Sequence, residues 1–328
     1  MPPADASLLS VETIRAAAFR LAGLAVRTPL LESPLLNAKL GGRLLAKAEC
    51  LQRTGSFKFR GAYNAVSMTG GRPVVAFSSG NHAQGVAHAA ELLKIRATIV
   101  MPADAPRTKI ENTRAYGANV VLYDRRTEDR EAIGARIALE EEAVLVRPYD
   151  DPFVMAGQGT VGLEIVEDCQ ARSIVPDAVL APASGGGLIA GVATAVLDSF
   201  PSAEVMTAEP AGFDDHARSL AAGERLSHDG GVTICDALMS PRPGELTFPI
   251  NRRLLAGGKV ADEAAVRQAM RVAFQYLKLV VEPGGAVALA SVLSGGVPIH
   301  GRTIVVVLSG GNVDAGLFAE ILGQEADT

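Results

Sequence analysis

The sequence predicts an α/β protein of doubly wound type, with open, twisted, mostly parallel sheet covered by helices on both sides. Three observations predict it. Short apolar runs rich in β-branched residues recur along the 328-residue chain, without the polar alternate face of a half-exposed strand. Helical stretches separate these runs, so strand and helix alternate. Glycine clusters fall where a strand meets a helix, the end of such sheets at which ligands bind.

The strands are expected at Arg43–Ala48, Val74–Ser78, Thr98–Met101, Asn119–Tyr123, Val144–Val146, Ala178–Ala181, Glu204–Ala208 and Thr303–Leu308. The helices between them are expected at His82–Leu93, Arg107–Tyr116, Thr127–Glu142, Gly157–Arg172, Leu188–Ser199 and Glu263–Tyr276. The stretch Thr13–Val26 is rich in Ala and Leu but broken by Arg15 and Arg20, so it reads as an amphipathic helix and not as a signal peptide. Ala211–Asn251 is rich in Gly, Pro and Asp and is expected to be an irregular, functional segment.

Composition sets limits. Hydrophobic residues at 48% and charged residues at 20% are those of a soluble globular protein. A net charge of −5 and the lack of a basic run or aromatic–basic stripe argue against nucleic acid as a partner. No run approaches the roughly 18 apolar residues that a membrane helix needs, so no membrane contact is expected. Cys50, Cys169 and Cys235 have no metal-finger spacing and read as reduced thiols of a cytoplasmic protein. The 34 glycines are clustered, which suggests backbone pressed close to a ligand.

Four segments carry chemistry. Ala183-Ser184-Gly185-Gly186-Gly187-Leu188 lies between a strand and a helix; its N–H groups and the helix N-terminus form a phosphate cradle, beyond what a plain tight turn requires. It has neither the Lys-Ser/Thr of a nucleotide loop nor the dinucleotide fingerprint. In Ser56-Phe57-Lys58-Phe59-Arg60-Gly61 a lysine stands between two phenylalanines, whose desolvation would lower its pKa and make it a nucleophilic amine. Ser78-Ser79-Gly80-Asn81-His82 opens a helix and offers polar groups to a carboxylate. Ser309, in Leu308-Ser309-Gly310-Gly311-Asn312, ends the last strong strand, where its hydroxyl can meet a ligand. A reactive lysine, a phosphate cradle, a carboxylate loop and a strand-end serine together describe a site for a phosphorylated aldehyde and a small amino acid.

These segments, with Arg27-Thr-Pro-Leu and Ala156-Gly-Gln-Gly-Thr, resemble the fold-type II pyridoxal-phosphate enzymes over nearly the whole chain, in particular the serine/threonine dehydratase (threonine ammonia-lyase) and serine racemase branch. The resemblance implies a tryptophan synthase β-like fold with two such sheets. The larger domain would comprise residues 1–68 and 148–328, and residues 69–147 would form a smaller, substrate-clamping domain. It implies a cytoplasmic homodimer that turns L-threonine or L-serine into a 2-oxo acid and ammonia, with serine racemization or β-hydroxyaspartate dehydration as alternatives. By the same resemblance Lys58 would hold pyridoxal 5′-phosphate and then serve as base; Phe57 would pack on its ring and Asn81 would bond its 3-oxygen. Gly185, Gly186, Gly187 and Leu188 would bind its phosphate, and Ser309 would face its pyridine nitrogen. Ser78, Ser79, Gly80, Asn81 and His82 would bind the substrate, Ser79 doubling as the racemase base, and Arg130 matches a position able to reach a second carboxylate. Glu209, the Phe213 carbonyl and Asp215 resemble that branch's site for Mg, Mn or Ca, and oxygen ligands suit a hard cation. Cys235-Asp236-Ala237 departs from the Ala-Asp-Gly common in the family and would reshape the pocket near the cofactor. The chain ends about one helix after Ser309, so feedback by isoleucine is not expected.

Overall fold

The structure, a computed structural model, describes residues 9–78, 80–228 and 230–324. Ten strands are described: β1 (Leu30–Leu31), β2 (Arg43–Lys47), β3 (Val74–Phe77), β4 (Ala97–Pro102), β5 (Asn119–Tyr123), β6 (Val144–Leu145), β7 (Ala178–Pro182), β8 (Glu204–Pro210), β9 (Gly257–Ala261) and β10 (Thr303–Val307). They form two sheets flanked by helices, one of six strands in the order β1-β2-β10-β7-β8-β9 and one of four in the order β5-β4-β3-β6. All pairings are parallel except β1 with β2. Every strand of the smaller sheet comes from within residues 74–145.

The eight expected strands are all present. The two that the sequence reading passed over lie at the edges of the larger sheet, where pairing on one side suffices for weak strand formers. β9 reads Gly-Gly-Lys-Val-Ala, and β1 is only two residues long. A further helix, Pro283–Leu293, is buried throughout and apolar on every face, so it shows no amphipathic period. The segment expected to be irregular opens with a helix at Asp215–Ala222 and runs into another at Thr247–Leu254; between them the described residues form one short turn, at Asp236–Leu238.

The helix expected from Gly157 starts at Pro152, capped by Asp151, whose carboxylate accepts from the N–H groups of Phe153 and Val154. It crosses the helix Gly187–Ser199 through glycines: a Cβ on Gly191 would stand 2.5 Å from the Gly159 Cα. The glycines of the Ala156-Gly-Gln-Gly-Thr cluster therefore serve helix packing, while Gln158 between them lines the cavity described below.

Beneath this packing lies a buried charge network. Arg60 donates to both oxygens of Glu49 at 2.8 Å and to Glu164 at 2.7 and 2.9 Å, while Lys47 donates to Glu164 at 2.6 Å. It ties the first turns of the helix Lys58–Ser67 to the long helix Pro152–Ala171 and to the end of β2. The three cysteines are free and buried, and no described helix is long and apolar enough to cross a membrane.

Candidate active site

A cavity of about 220 Å³ opens at the carboxyl ends of β3, β4, β5, β7 and β10, between the two sheets. It gathers Phe57, Lys58, Ser78, Gly80, Asn81, His82, Arg130, the glycines Gly185–Gly187, Leu188 and Ser309 into one wall. Ser79 lies outside the described residues.

Lys58 is held from both sides. The extended Ser56 lies against the chain after β10: it bridges Gly310, and the Phe57 N–H donates to the Ser309 carbonyl at 3.1 Å. The helix then begins at Lys58, and its Nζ donates to the Pro148 carbonyl at 2.8 Å. Among the described residues no carboxylate pairs with it, and burial alone lowers its pKa to about 8. Its residual exposure is to the cavity. Of the two phenylalanines expected to desolvate it, Phe57 is in place, with its ring centroid 5.1 Å from Nζ. Phe59 is fully buried among Tyr63 and His88, so the cavity as a whole supplies the rest.

The glycine turn after β7 is shaped by its neighbours. A Cβ on Gly185 would fall 2.2 Å from the Tyr149 ring, and one on Gly186, whose φ is +91°, would fall 2.4 Å from the His216 ring. The carbonyls of the turn are engaged: Gly185 accepts from Thr247 Oγ1 at 2.5 Å and from the Gly244 N–H, and Gly186 accepts from Asn251 Nδ2 at 3.1 Å. Asn251 Nδ2 also meets His216 Nε2 at 3.0 Å, which leaves Nδ1 to carry the proton toward the Ser184 carbonyl. Burial keeps His216 neutral, its pKa pushed down to about 4. The N–H groups of Gly185 and Gly186 have no acceptor among the described residues, and with the first turn of the helix Gly187–Ser199 they make a donor set suited to an anion.

At the start of the helix Asn81–Leu93, Ser78 Oγ accepts from the Gly80 N–H at 3.2 Å. The Asn81 side chain is already engaged: Nδ2 donates to Glu282 at 2.5 Å and Oδ1 accepts from Asn312 at 2.8 Å. His82 Nε2 lies 3.1 Å from the Val146 carbonyl, and its buried Nδ1 has no partner. Burial, and then the charge of Lys58, push its pKa down to about 3, so it is neutral in the wall of the cavity. Arg130 caps the far end, 5.5 Å over the Phe77 ring, with no carboxylate partner among the described residues. Arg125 also lines the cavity but is paired with Asp104 at 2.8 Å.

The second expected site lies behind the glycine turn. Glu209, at the end of β8, accepts the His216 and Ala217 N–H groups at 2.9 and 2.7 Å, which caps the helix that begins at Asp215. One buried oxygen of Asp215 has no partner. Burial raises both acids, Glu209 further by the nearness of Asp215, which itself reaches about 7. Phe213 is buried against His228. Among the described residues no three His, Cys, Asp or Glu side chains converge, so a cation here would depend on these two acids and backbone oxygen.

Sequence reasoning missed Tyr149, Lys109 and Glu282, which also line the cavity. Glu282 is buried and one of its oxygens has no partner; burial pushes its carboxyl up to about 7, outweighing the downward pull of Lys109. A carboxyl raised from its ordinary 4.5 opposes folding once ionised, so the cost is absent in acid and grows as pH rises through about 7. Glu282→Gln is therefore expected to raise Tm at pH 8 and not at pH 4, which thermal unfolding at the two pH values checks. Equal shifts at both would show that charge is not the cause.

Known proteins resemble this chain in sequence and in structure. A family model described as "Pyridoxal-phosphate dependent enzyme" matches residues 21–310. The L-threo-3-hydroxyaspartate ammonia-lyase of Pseudomonas sp is 42% identical over 96% of this chain and 99% of its own length. Among solved structures, a threonine deaminase of T.th. superposes with a TM-score of 0.88 at 45% identity, covering 93% of this chain and 99% of that one. A maize serine racemase superposes at 0.89 with 39% identity, covering 95% and 96%.

Proposed function

This chain belongs to the pyridoxal-phosphate dependent enzymes, with the fold-type II architecture of its structural neighbours, and on that premise we propose that it removes water and ammonia from L-threonine or L-serine. The observation that carries the reading is the Lys58 amine, without a counter-charge among the described residues, in one cavity with an anion-binding turn and a strand-end hydroxyl.

The cavity fits the cofactor. Free N–H groups at Gly185 and Gly186 and the start of the helix Gly187–Ser199 would hold its phosphate. Lys58 would bind its aldehyde carbon, Phe57 would lie against the ring, and the Ser309 hydroxyl would meet the ring nitrogen without forcing a proton onto it. Bound there, pyridoxal phosphate supplies an electron sink that makes the Cα proton of an attached amino acid acidic.

The chain's own residues do the rest. With a pKa near 8, Lys58 exchanges a proton readily near neutral pH and serves as the general base for the Cα proton. The N–H groups of Asn81 and His82, at the first turn of their helix, would hold the substrate carboxylate, as the positioning contribution. The remaining Nδ2 proton of Asn81 is left for the cofactor's 3-oxygen, while Glu282 and Asn312 fix the carboxamide's orientation. The proton taken from Cα would leave with the β-hydroxyl as water, and the freed enamine tautomerises to an imine that water hydrolyses to a 2-oxo acid and ammonia.

A second reading, β-hydroxyaspartate as substrate, is favoured by Arg130, a cavity-lining cation without a carboxylate partner among the described residues. A charged hydrogen bond to the second carboxylate corresponds to about tenfold or more in binding. In Arg130→Met, kcat/KM for threo-3-hydroxyaspartate is expected to fall about tenfold or more relative to that for threonine. The assay is 2-oxo acid release from threonine, serine and both hydroxyaspartate diastereomers. A wild-type enzyme inert on all of them sinks the proposal, and D-serine formed in place of oxo acid replaces it with racemization.

We read residues 1–68 and 148–328 as the cofactor-binding domain and 69–147 as the smaller clamping domain; the confinement of the smaller sheet to residues 74–145 supports this. The orphaned oxygen of Asp215 beside Glu209 supports a hard cation (Mg, Mn or Ca) held with the Phe213 carbonyl. Three buried free thiols support a cytoplasmic setting, and a homodimer is expected by resemblance.

A further inference from the structure

Lys109 belongs to the helix Arg107–Ala115 that follows β4 of the smaller sheet. Its ammonium crosses the cavity to Asp236, in the short turn Asp236–Leu238 that belongs to the long segment after β8, at 2.6 Å. The lysine is buried, and Asp236 is the one carboxylate paired with it among the described residues. On its way the side chain passes against Gly80: a Cβ there would stand 3.0 Å from Lys109 Cδ and 3.3 Å from Nζ. Gly80 is thus confined by the lysine on one side. On its own side the described contact that shapes it is the Ser78 hydroxyl at 3.2 Å.

We propose that Lys109, by pairing with Asp236 across the cleft, is a positioning residue that holds Gly80 and the first turn of the helix Asn81–Leu93 in the shape that receives the substrate carboxylate; this rests on the reading of those N–H groups given above. A buried ammonium without an acceptor is costly, so the stem stays straight only while Asp236 anchors its end. With the anchor in place the stem lies over Gly80 and limits how the backbone can turn into the helix. Asn81, bonded to Glu282 and Asn312, makes a second crossing one residue later, so the helix start is held at two successive residues. The motif Cys235-Asp236-Ala237 thereby acquires a use: it carries the anchor.

The pair predicts coupling, which a double-mutant cycle reads. Lys109→Met and Asp236→Asn, singly and together, are compared in the cofactor-loaded enzyme without amino acid, by hydrogen exchange of the Gly80–Gln84 amides. Each single substitution is expected to raise exchange by about fivefold, the scale of a partly exposed ion pair. The double substitution is expected to add nothing further, because either change already breaks the pair. In turnover assays KM is expected to rise by a similar factor and kcat to fall less. Asp236 is about half exposed, so Asp236→Asn tests the idea even if the lysine variant folds poorly. Unchanged exchange in both single variants, or effects that add in the double, overturns the proposal. The exchange arms need no turnover, so they stand apart from whether the wild type deaminates a β-hydroxy amino acid.

Discussion

Replacing Lys58 by Ala is expected to cut turnover by about a thousandfold or more, the scale of a lost acid–base group. The same change should abolish the visible absorbance that a lysine-bound pyridoxal phosphate gives. Two functions end together, because one amine both holds the cofactor and moves the Cα proton. Stability should change little: within the described structure the Lys58 amine has a single hydrogen bond, to the Pro148 carbonyl, and no ion pair. The checks are steady-state oxo-acid release, the absorbance spectrum after cofactor addition, and Tm. A variant that keeps a tenth of wild-type turnover would falsify the assignment of Lys58 as the base.

The second large effect is on folding. Arg60→Met is expected to lower the unfolding free energy by about 3–5 kcal/mol, because it leaves Glu49 and Glu164 without their shared buried counter-charge. Glu49 keeps only the Thr28 hydroxyl and Glu164 keeps Lys47. Adding Glu49→Gln to the variant should recover part of the loss, since the carboxylate left without a cation is removed with it. The pH dependence has a definite sign. Burial by itself would raise the Glu164 carboxyl, but Arg60 and Lys47 outweigh it and hold it below its ordinary 4.5. The stabilisation from Glu164 is therefore present above pH 4.5 and is lost as pH falls through the lower, folded value. The gap between wild type and Arg60→Met should narrow in acid. Denaturant unfolding at pH 7 and pH 4 measures it, and a gap that widens in acid would mean that the network is not held together by charge.

Much of the site was legible because local signals and function coincide. Gly185–Gly187 stand between an apolar run and a helix, and Lys58 sits in a short motif whose neighbours also matter. Other parts were legible for the wrong reason. The glycines of the turn are crowded by Tyr149 and His216, and those at Gly159 and Gly191 by each other, so glycine clustering reported close packing as much as ligand contact. Phe59 flanks Lys58 in sequence, but one residue along a helix turns a side chain by about 100°, which puts it in the core. Glu282 and Lys109 were invisible. A glutamate before Pro283 looks like an ordinary helix start, and a lysine in a first helical turn looks like a solvated one.

From its sequence alone this protein has its architecture, its order of strands and helices, and most of the residue types that line its candidate site. Those depend on patterns within ten or twenty residues, where hydrophobic period, glycine turns and caps act locally. Only the tertiary structure decided which charges are paired and which are left free. It placed Arg130 in the cavity beside a paired Arg125, buried Arg60 between two carboxylates, and brought Lys109 to Asp236 and Asn81 to Glu282. Lys109 and Asp236 lie 127 residues apart, and Asn81 and Glu282 lie 201 apart. No local pattern encodes such a meeting: burial and pairing are set where two sheets face each other, and pKa follows from that environment rather than from the residue.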